Sequence, residues 1–148
     1  MKWILSQQSL DHHRWLLQNA AEQTQFTYSL LHGSIRIKSK TNRLFFLEIA
    51  GLFHKKVFLR SEYGVIVGES NWTTSKEGIM QMNEQKFIFC WNDSQLAFFS
   101  KNKTLLSSLE VDQPGILDKK EQFVLLFSSA WILFADASTK KSENLLVA

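Results

Sequence analysis

At 148 residues, 45% hydrophobic and 21% charged, the chain can bury the core of one ordinary domain, which excludes a disordered or low-complexity segment. Its single cysteine, Cys90, excludes an intramolecular disulfide and a four-cysteine zinc site, and favours a reducing compartment. The net charge of +3 is modest, so any electrostatic partner must be sought in how the charge is distributed.

The opening MKWILSQQSLDHH has three apolar residues before polar ones resume, too few for a secretory signal core, and the expected location is cytoplasmic. On that reading the sequons at Asn71, Asn92 and Asn102 are chance occurrences. Strand-like runs follow at Trp3 to Gln7, Arg14 to Asn19 and Gln25 to Leu31, with Ala20 to Gln23 compatible also with a short helix. The clearest alternation is Ser34 to Lys40, where Arg36, Lys38 and Lys40 share one face and Ile35 and Ile37 the other. After the turn at Thr41-Asn42, Arg43 to Ala50 reads as the next strand. Val57 to Arg60 and Val65 to Gly68 flank Ser61-Glu62-Tyr63-Gly64, a hairpin turn in which Gly64 takes the positive φ. Ile79 to Met82, Phe87 to Trp91, Leu96 to Ser100 and Thr104 to Val111 complete about eleven short strands, the rhythm of a barrel or sandwich.

After Gln113-Pro114-Gly115 the character changes. Asp118 can cap a helix running to about Ala137, with Glu121 completing a capping-box-like start. Within it, Phe123 to Ala135 is an apolar run of 13 residues, roughly 20 Å of helix against about 30 Å of hydrocarbon, so it is too short to span a membrane. Only Ser128 and Ser129 interrupt it, and a helix apolar nearly all round needs burial on every side. A closed barrel can supply that. The expected fold is therefore mainly β, an antiparallel closed barrel of about 11–12 short strands over residues 2–111, enclosing a C-terminal hydrophobic helix over about 118–137, with a polar tail 138–148 and all of 1–148 in one domain.

Three segments carry a family resemblance. VFLRSEYGVIVGES, Val57 to Ser70, resembles the recurring hairpin of the tubby C-terminal-like superfamily, which comprises tubby, LURP-one-related and phospholipid scramblase-like domains; Gly64 and Gly68 stand at its two glycine positions. LLHGSIRIKSKTNRLFFLEI, Leu31 to Ile49, is similar to the basic strand pair that precedes it, and FVLLFSSAWILFA to its buried helix. The resemblance implies a barrel around a helix and recognition of anionic phospholipid through basic barrel residues. The turn acid is displaced, with Glu62 two residues ahead of Gly64, and the chain shows neither the cysteine-rich cluster nor the proline-rich extension of animal scramblases, so scrambling is not implied. The fold competitor is a pleckstrin-like barrel, whose amphipathic helix lies at one end; exposure of Leu125 and Trp131 separates the two.

The charge is uneven. Between Ser34 and Arg60 seven basic residues, Arg36, Lys38, Lys40, Arg43, Lys55, Lys56 and Arg60, stand against Glu48, whereas between Ser61 and Phe98 two basic residues stand against five acids. This pattern fits a cationic strand face for an anionic lipid headgroup or membrane surface, and equally a solvated wall whose lysines deter edge pairing. Nucleic acid is disfavoured, because no Tyr or Trp is interleaved on the charged face for base stacking. Trp72, among Asn71, Thr73, Thr74 and Ser75, reads as a loop residue whose ring could anchor at a lipid interface.

Other chemistry is thinly represented. His12 and His13 would point to opposite faces of a strand and no second close ligand pair follows, so no metal is expected; His32 and His54 read as turn or strand-end residues. Cys90, between Phe89 and Trp91, reads as a small hydrophobe. Glu48, Glu62, Glu69 and Glu77 could be paired by folding, which spacing alone does not show. With no nucleophile elbow, phosphate-binding glycine loop or dinucleotide fingerprint, the expectation is a non-enzymatic domain without cofactor, peripheral to a membrane. The alternative is a protein-interaction or structural domain without a small ligand.

Overall fold

Alternate burial along each extended segment sets the architecture: in β4 (Ser34–Lys38), Ile35 and Ile37 are buried while Arg36 and Lys38 are exposed. The computed structural model describes residues 2–8, 14–29, 32–38, 42–50, 56–74, 76–92, 94–112 and 119–135. The remaining strands are β1 (Lys2–Gln7), β2 (Arg14–Gln18), β3 (Gln23–Ser29), β5 (Asn42–Ala50), β6 (Lys56–Ser61), β7 (Ile66–Trp72), β8 (Glu77–Met82), β9 (Gln85–Asn92), β10 (Gln95–Phe99) and β11 (Leu105–Val111). They form a closed barrel in which each strand pairs with its neighbours in sequence and β1 meets β11. Closure leaves no unpaired edge to be protected.

The count is the expected one, with one departure from an all-antiparallel ring. In an up-and-down barrel of eleven strands the first and last run the same way, so the closing seam is parallel, Lys2 facing Ser108 and Leu5 facing Val111. Two turns fit their residues closely. At the tip of β6–β7, Gly64 has φ 82°, as its position implied. Asn83 and Glu84, both with positive φ, make the two-residue turn between β8 and β9, the form that matches strand twist. The segment near Ala20 is a turn, not a helix: the Asn19 carboxamide oxygen accepts from the N–H groups of Ala21 and Glu22.

Helix α1 (Lys119–Ala130) runs through the barrel and continues as a π-helical turn, Trp131–Ala135. The β2–β3, β6–β7, β8–β9 and β10–β11 turns, with the end of β4 and the start of β5, all lie at one end, here called the upper end. Phe123 packs on Trp72 where β7 finishes at the lower end, and Phe134 packs on Phe87 and Phe98 near the upper end. The helix therefore traverses the barrel from lower to upper end. Leu125 is 0% exposed and Trp131 6%, which sets the helix inside the barrel and not across its mouth. Two strand serines, Ser61 and Ser70, and a cluster of apolar side chains to which every strand contributes, mostly Phe, Leu and Trp but Ile from β4 and Met from β8, fill the space around it. The widening at Trp131 was not anticipated; it falls where the indole meets Phe45 at 4.6 Å and, at 5.3 Å, the Arg43 guanidinium.

Two glycines make room for this packing. A Cβ at Gly68 would lie 3.4 Å from the Phe127 ring and 2.9 Å from Met82 Cε. At Gly78 it would meet the Asn71 carbonyl oxygen at 2.5 Å and Phe89 Cζ at 2.7 Å.

Candidate functional site

The outer wall of β2, β3 and β4 collects the charge. Trp15 and Leu17 turn inward on β2, so Arg14 faces out; Phe26 and Tyr28 turn inward on β3, leaving Gln25 and Thr27 outside. Register aligns Arg14 with Thr27 and Thr27 with Arg36, while Gln25 faces Lys38. Arg14, Gln25, Phe26, Thr27, Arg36 and Lys38 line a depression of about 130 Å³, well below the roughly 300 Å³ at which pockets begin to hold drug-sized ligands. Adjacent strands are about 4.8 Å apart, so the long side chains of Arg14 and Arg36, two seams apart, can reach one phosphate-sized group. None of Arg14, Arg36 and Lys38 has an ion-pair partner among the described residues. Like charges so placed repel, a cost that a bound anion relieves.

The other basic residues are used differently. Arg43 lies 5.3 Å from the ring centroids of both Phe45 and Trp131, and its Nε stands 3.3 Å from Glu62 Oε1 without hydrogen-bond alignment. It seals the upper mouth of the barrel beside the helix. Arg60 donates from Nε to Glu48 Oε2 at 2.7 Å and from a terminal nitrogen to the Gly64 carbonyl at 3.2 Å, bracing the β6–β7 turn. These two cations are thus committed to structure. Lys56 is exposed over Phe58, on a separate depression of about 250 Å³ that it shares with Glu69 and Lys86. Lys40 and Lys55 lie outside the described residues, as do His12, His13 and His54.

The loop placement of Trp72 is corrected. The residue ends β7, is 7% exposed, and packs edge-on to Phe89 at 4.8 Å and to Phe123 at 5.4 Å. Its partner across the seam is Gly78, whose missing side chain lets the indole and Phe89 meet. An enclosed ring cannot anchor at a lipid surface. Arg14, conversely, belongs to the basic wall although the sequence reading passed over it, because 22 positions separate it from Arg36 and only barrel register joins them. The available signal was the inward alternation of Trp15 and Leu17.

Among the described residues the remaining reactive groups do not assemble. Glu48 and Glu62 each face an arginine, and Cys90 is half-buried with its thiol 3.9 Å from the Trp91 carbonyl. Among the described residues no three His, Cys, Asp or Glu side chains are grouped to hold a metal, and no helix is long and apolar enough to cross a membrane. The scan against family models, the search of curated proteins and the search of solved structures each find no match.

Proposed function

We propose that the domain is a non-catalytic binding module of tubby-like type whose β2–β4 wall recognises an anionic phospholipid headgroup. The single observation that carries the reading is the set of three unpaired cations, Arg14, Arg36 and Lys38, converging from two strands on one small polar depression. Two hydrogen-bonding side chains between them, Gln25 and Thr27, add the donors a phosphate oxygen accepts. The barrel interior is filled by α1, which leaves recognition to the outside and speaks for binding rather than turnover. On this reading the protein associates peripherally with the cytoplasmic face of a membrane, where anionic lipids attract basic segments by about 1 kcal/mol per charge.

Sedimentation with vesicles of phosphatidylcholine alone, and with added phosphatidylserine or a phosphoinositide, tests this. Binding is expected only to anionic vesicles, weakened by salt, and lost when Arg14→Glu, Arg36→Glu and Lys38→Glu are combined. Equal binding to neutral vesicles, or an unchanged affinity in the triple variant, overturns it and leaves a protein-interaction domain as the better reading.

A further inference from the structure

Of the nine large apolar side chains exposed among the described residues, Ile4, Phe46, Ile49 and Ile79 are spread singly along the wall, whereas the other five, the two most exposed among them, stand together at the upper end of the barrel. Tyr63, 81% exposed, and Val65, 59% exposed, form the β6–β7 tip with Ile66 beside them; Leu105 and Leu106 open β11. Exposed Lys101 and Lys103, in the β10–β11 turn, and Lys38, at the end of β4, stand at the same end, and none has an ion pair among the described residues. Of the acids at this end, Glu22, Glu62 and Glu84, Glu62 faces Arg43.

The β6–β7 tip is braced in its exposed pose. The Ser61 hydroxyl accepts from the N–H groups of Tyr63 at 3.2 Å and Val65 at 3.4 Å, the Gly64 N–H donates to the Ser61 carbonyl at 3.0 Å, and Arg60 holds the Gly64 carbonyl. A turn fixed this firmly holds the phenol ring out in water without ordering cost at the moment of contact.

Four seams separate β7 from β11 around one side of the ring and seven around the other. At about 4.8 Å per strand and ordinary tilt the ring is roughly 20 Å across, so no surface laid against the wall touches both apolar tips. A surface laid across the upper end touches both, and the lysines as well. We propose that the upper end is a membrane-docking rim: Tyr63, Val65 and Leu105 enter the headgroup zone of an anionic bilayer, and Lys38, Lys101 and Lys103 meet its phosphates. The proposal rests on the anionic-lipid reading above and shares Lys38 with it; Arg14, at the lower start of β2, stands back from this end-on contact. Tyrosine at the interface and lysines reaching outward are the residue types such a zone accepts.

The test uses vesicles of phosphatidylcholine and phosphatidylserine in equal parts. The native tryptophans described are all buried, so a Tyr63→Trp variant reports the rim against a shielded background. Its emission is expected to shift to the blue on vesicle addition and to be quenched by bromine-labelled lipid, while wild-type emission stays unchanged. Tyr63→Ser combined with Val65→Ser, shown folded by near-ultraviolet circular dichroism, is expected to lose on the order of tenfold in vesicle affinity while keeping the wild-type salt dependence. If vesicles bind but the Tyr63→Trp reporter stays unquenched, or the double serine variant binds as wild type, the rim is overturned while the basic wall stands. That result leaves Tyr63 as a protein-facing contact. If wild type binds no anionic vesicle, both proposals fall.

Discussion

Removing a hydroxyl from the centre of this protein is expected to stabilise it. Ser129 is 0% exposed inside the barrel, and its Oγ has no hydrogen-bond partner among the described residues. A buried unpaired hydroxyl carries a desolvation cost of about 1–3 kcal/mol, and Ser is about 0.5 kcal/mol less favourable than Ala within a helix. Against these gains, Ser129→Ala opens a void of roughly 12 Å³, worth about 0.3 kcal/mol at 24 cal/mol per Å³. The balance favours the variant by about 1–3 kcal/mol. For a chain of 148 residues with an unfolding entropy of about 2.1 cal/mol/K per residue, each kcal/mol raises the melting temperature by about 3 °C. Urea titration and calorimetry read this directly. Ser70→Ala, on β7, removes an equally unpartnered hydroxyl without the helix-propensity gain, so its stabilisation should be the smaller of the two. A loss of more than about 0.5 kcal/mol in Ser129→Ala would refute the reasoning, since it would mean that the hydroxyl is satisfied by a buried water and the barrel core is wet.

The two inward glycines should respond differently to the same change. Gly78→Ala forces a methyl onto the Asn71 carbonyl and Trp72 Cα, neither able to yield, and should cost about 3 kcal/mol or more; Gly68→Ala meets the mobile end of Met82 and should cost about 1 kcal/mol, both read by urea denaturation. Phe127→Ala, deleting a fully buried ring beside Gly68, should cost about 3–5 kcal/mol in the same measurement; a loss under 1 kcal/mol would mean that α1 is not enclosed. Trp72→Phe and Arg60→Ala should leave anionic-vesicle affinity within about twofold in sedimentation, because one ring is enclosed and the other cation is already paired; a tenfold loss in either would return that residue to the binding surface.

The charged wall was half legible, and the missing half has a physical cause. Alternation around Ile35 and Ile37 reveals which way Arg36 and Lys38 point, since a strand reports its own faces. It does not report its neighbours, so Arg14 stayed hidden until register brought β2 beside β3 and β3 beside β4. Counting charge along the chain also treats every cation alike. Arg43 and Arg60 swell that count, yet their partners Glu62 and Glu48 come from other strands or turns and remove them from the wall. Trp72 failed for a different reason. The inward positions of β7 are Gly68, Ser70 and Trp72, small or polar where a strand pattern requires apolar residues, because α1 approaches closely there and Phe127 occupies the space. A packing constraint from residues nearly sixty positions downstream thus looked, locally, like a loop.

The enclosed helix was legible because its demand is unusual: apolar on every side, too short for a bilayer, and preceded by many short strands, it can be satisfied only by surrounding walls. That argument fixes closure but not how the ring closes. Strand number decides the rest by parity. With β1 and β11 both odd in the meander they run alike, so the seam joining Lys2–Leu5 to Ser108–Val111 must be parallel, although every pair of consecutive strands is antiparallel. This seam joins the ends of the strand region, across more than a hundred residues, so its loop-closure entropy is the largest in the barrel and it is the last pairing expected to form. The helix follows β11 directly in sequence, and its Phe123 touches Trp72 on the far side of the ring. Burying α1 and closing the seam are therefore coupled: the inward apolar side chains of the strands have nothing to pack against until the helix is inside, and the helix has no shelter until the ring closes.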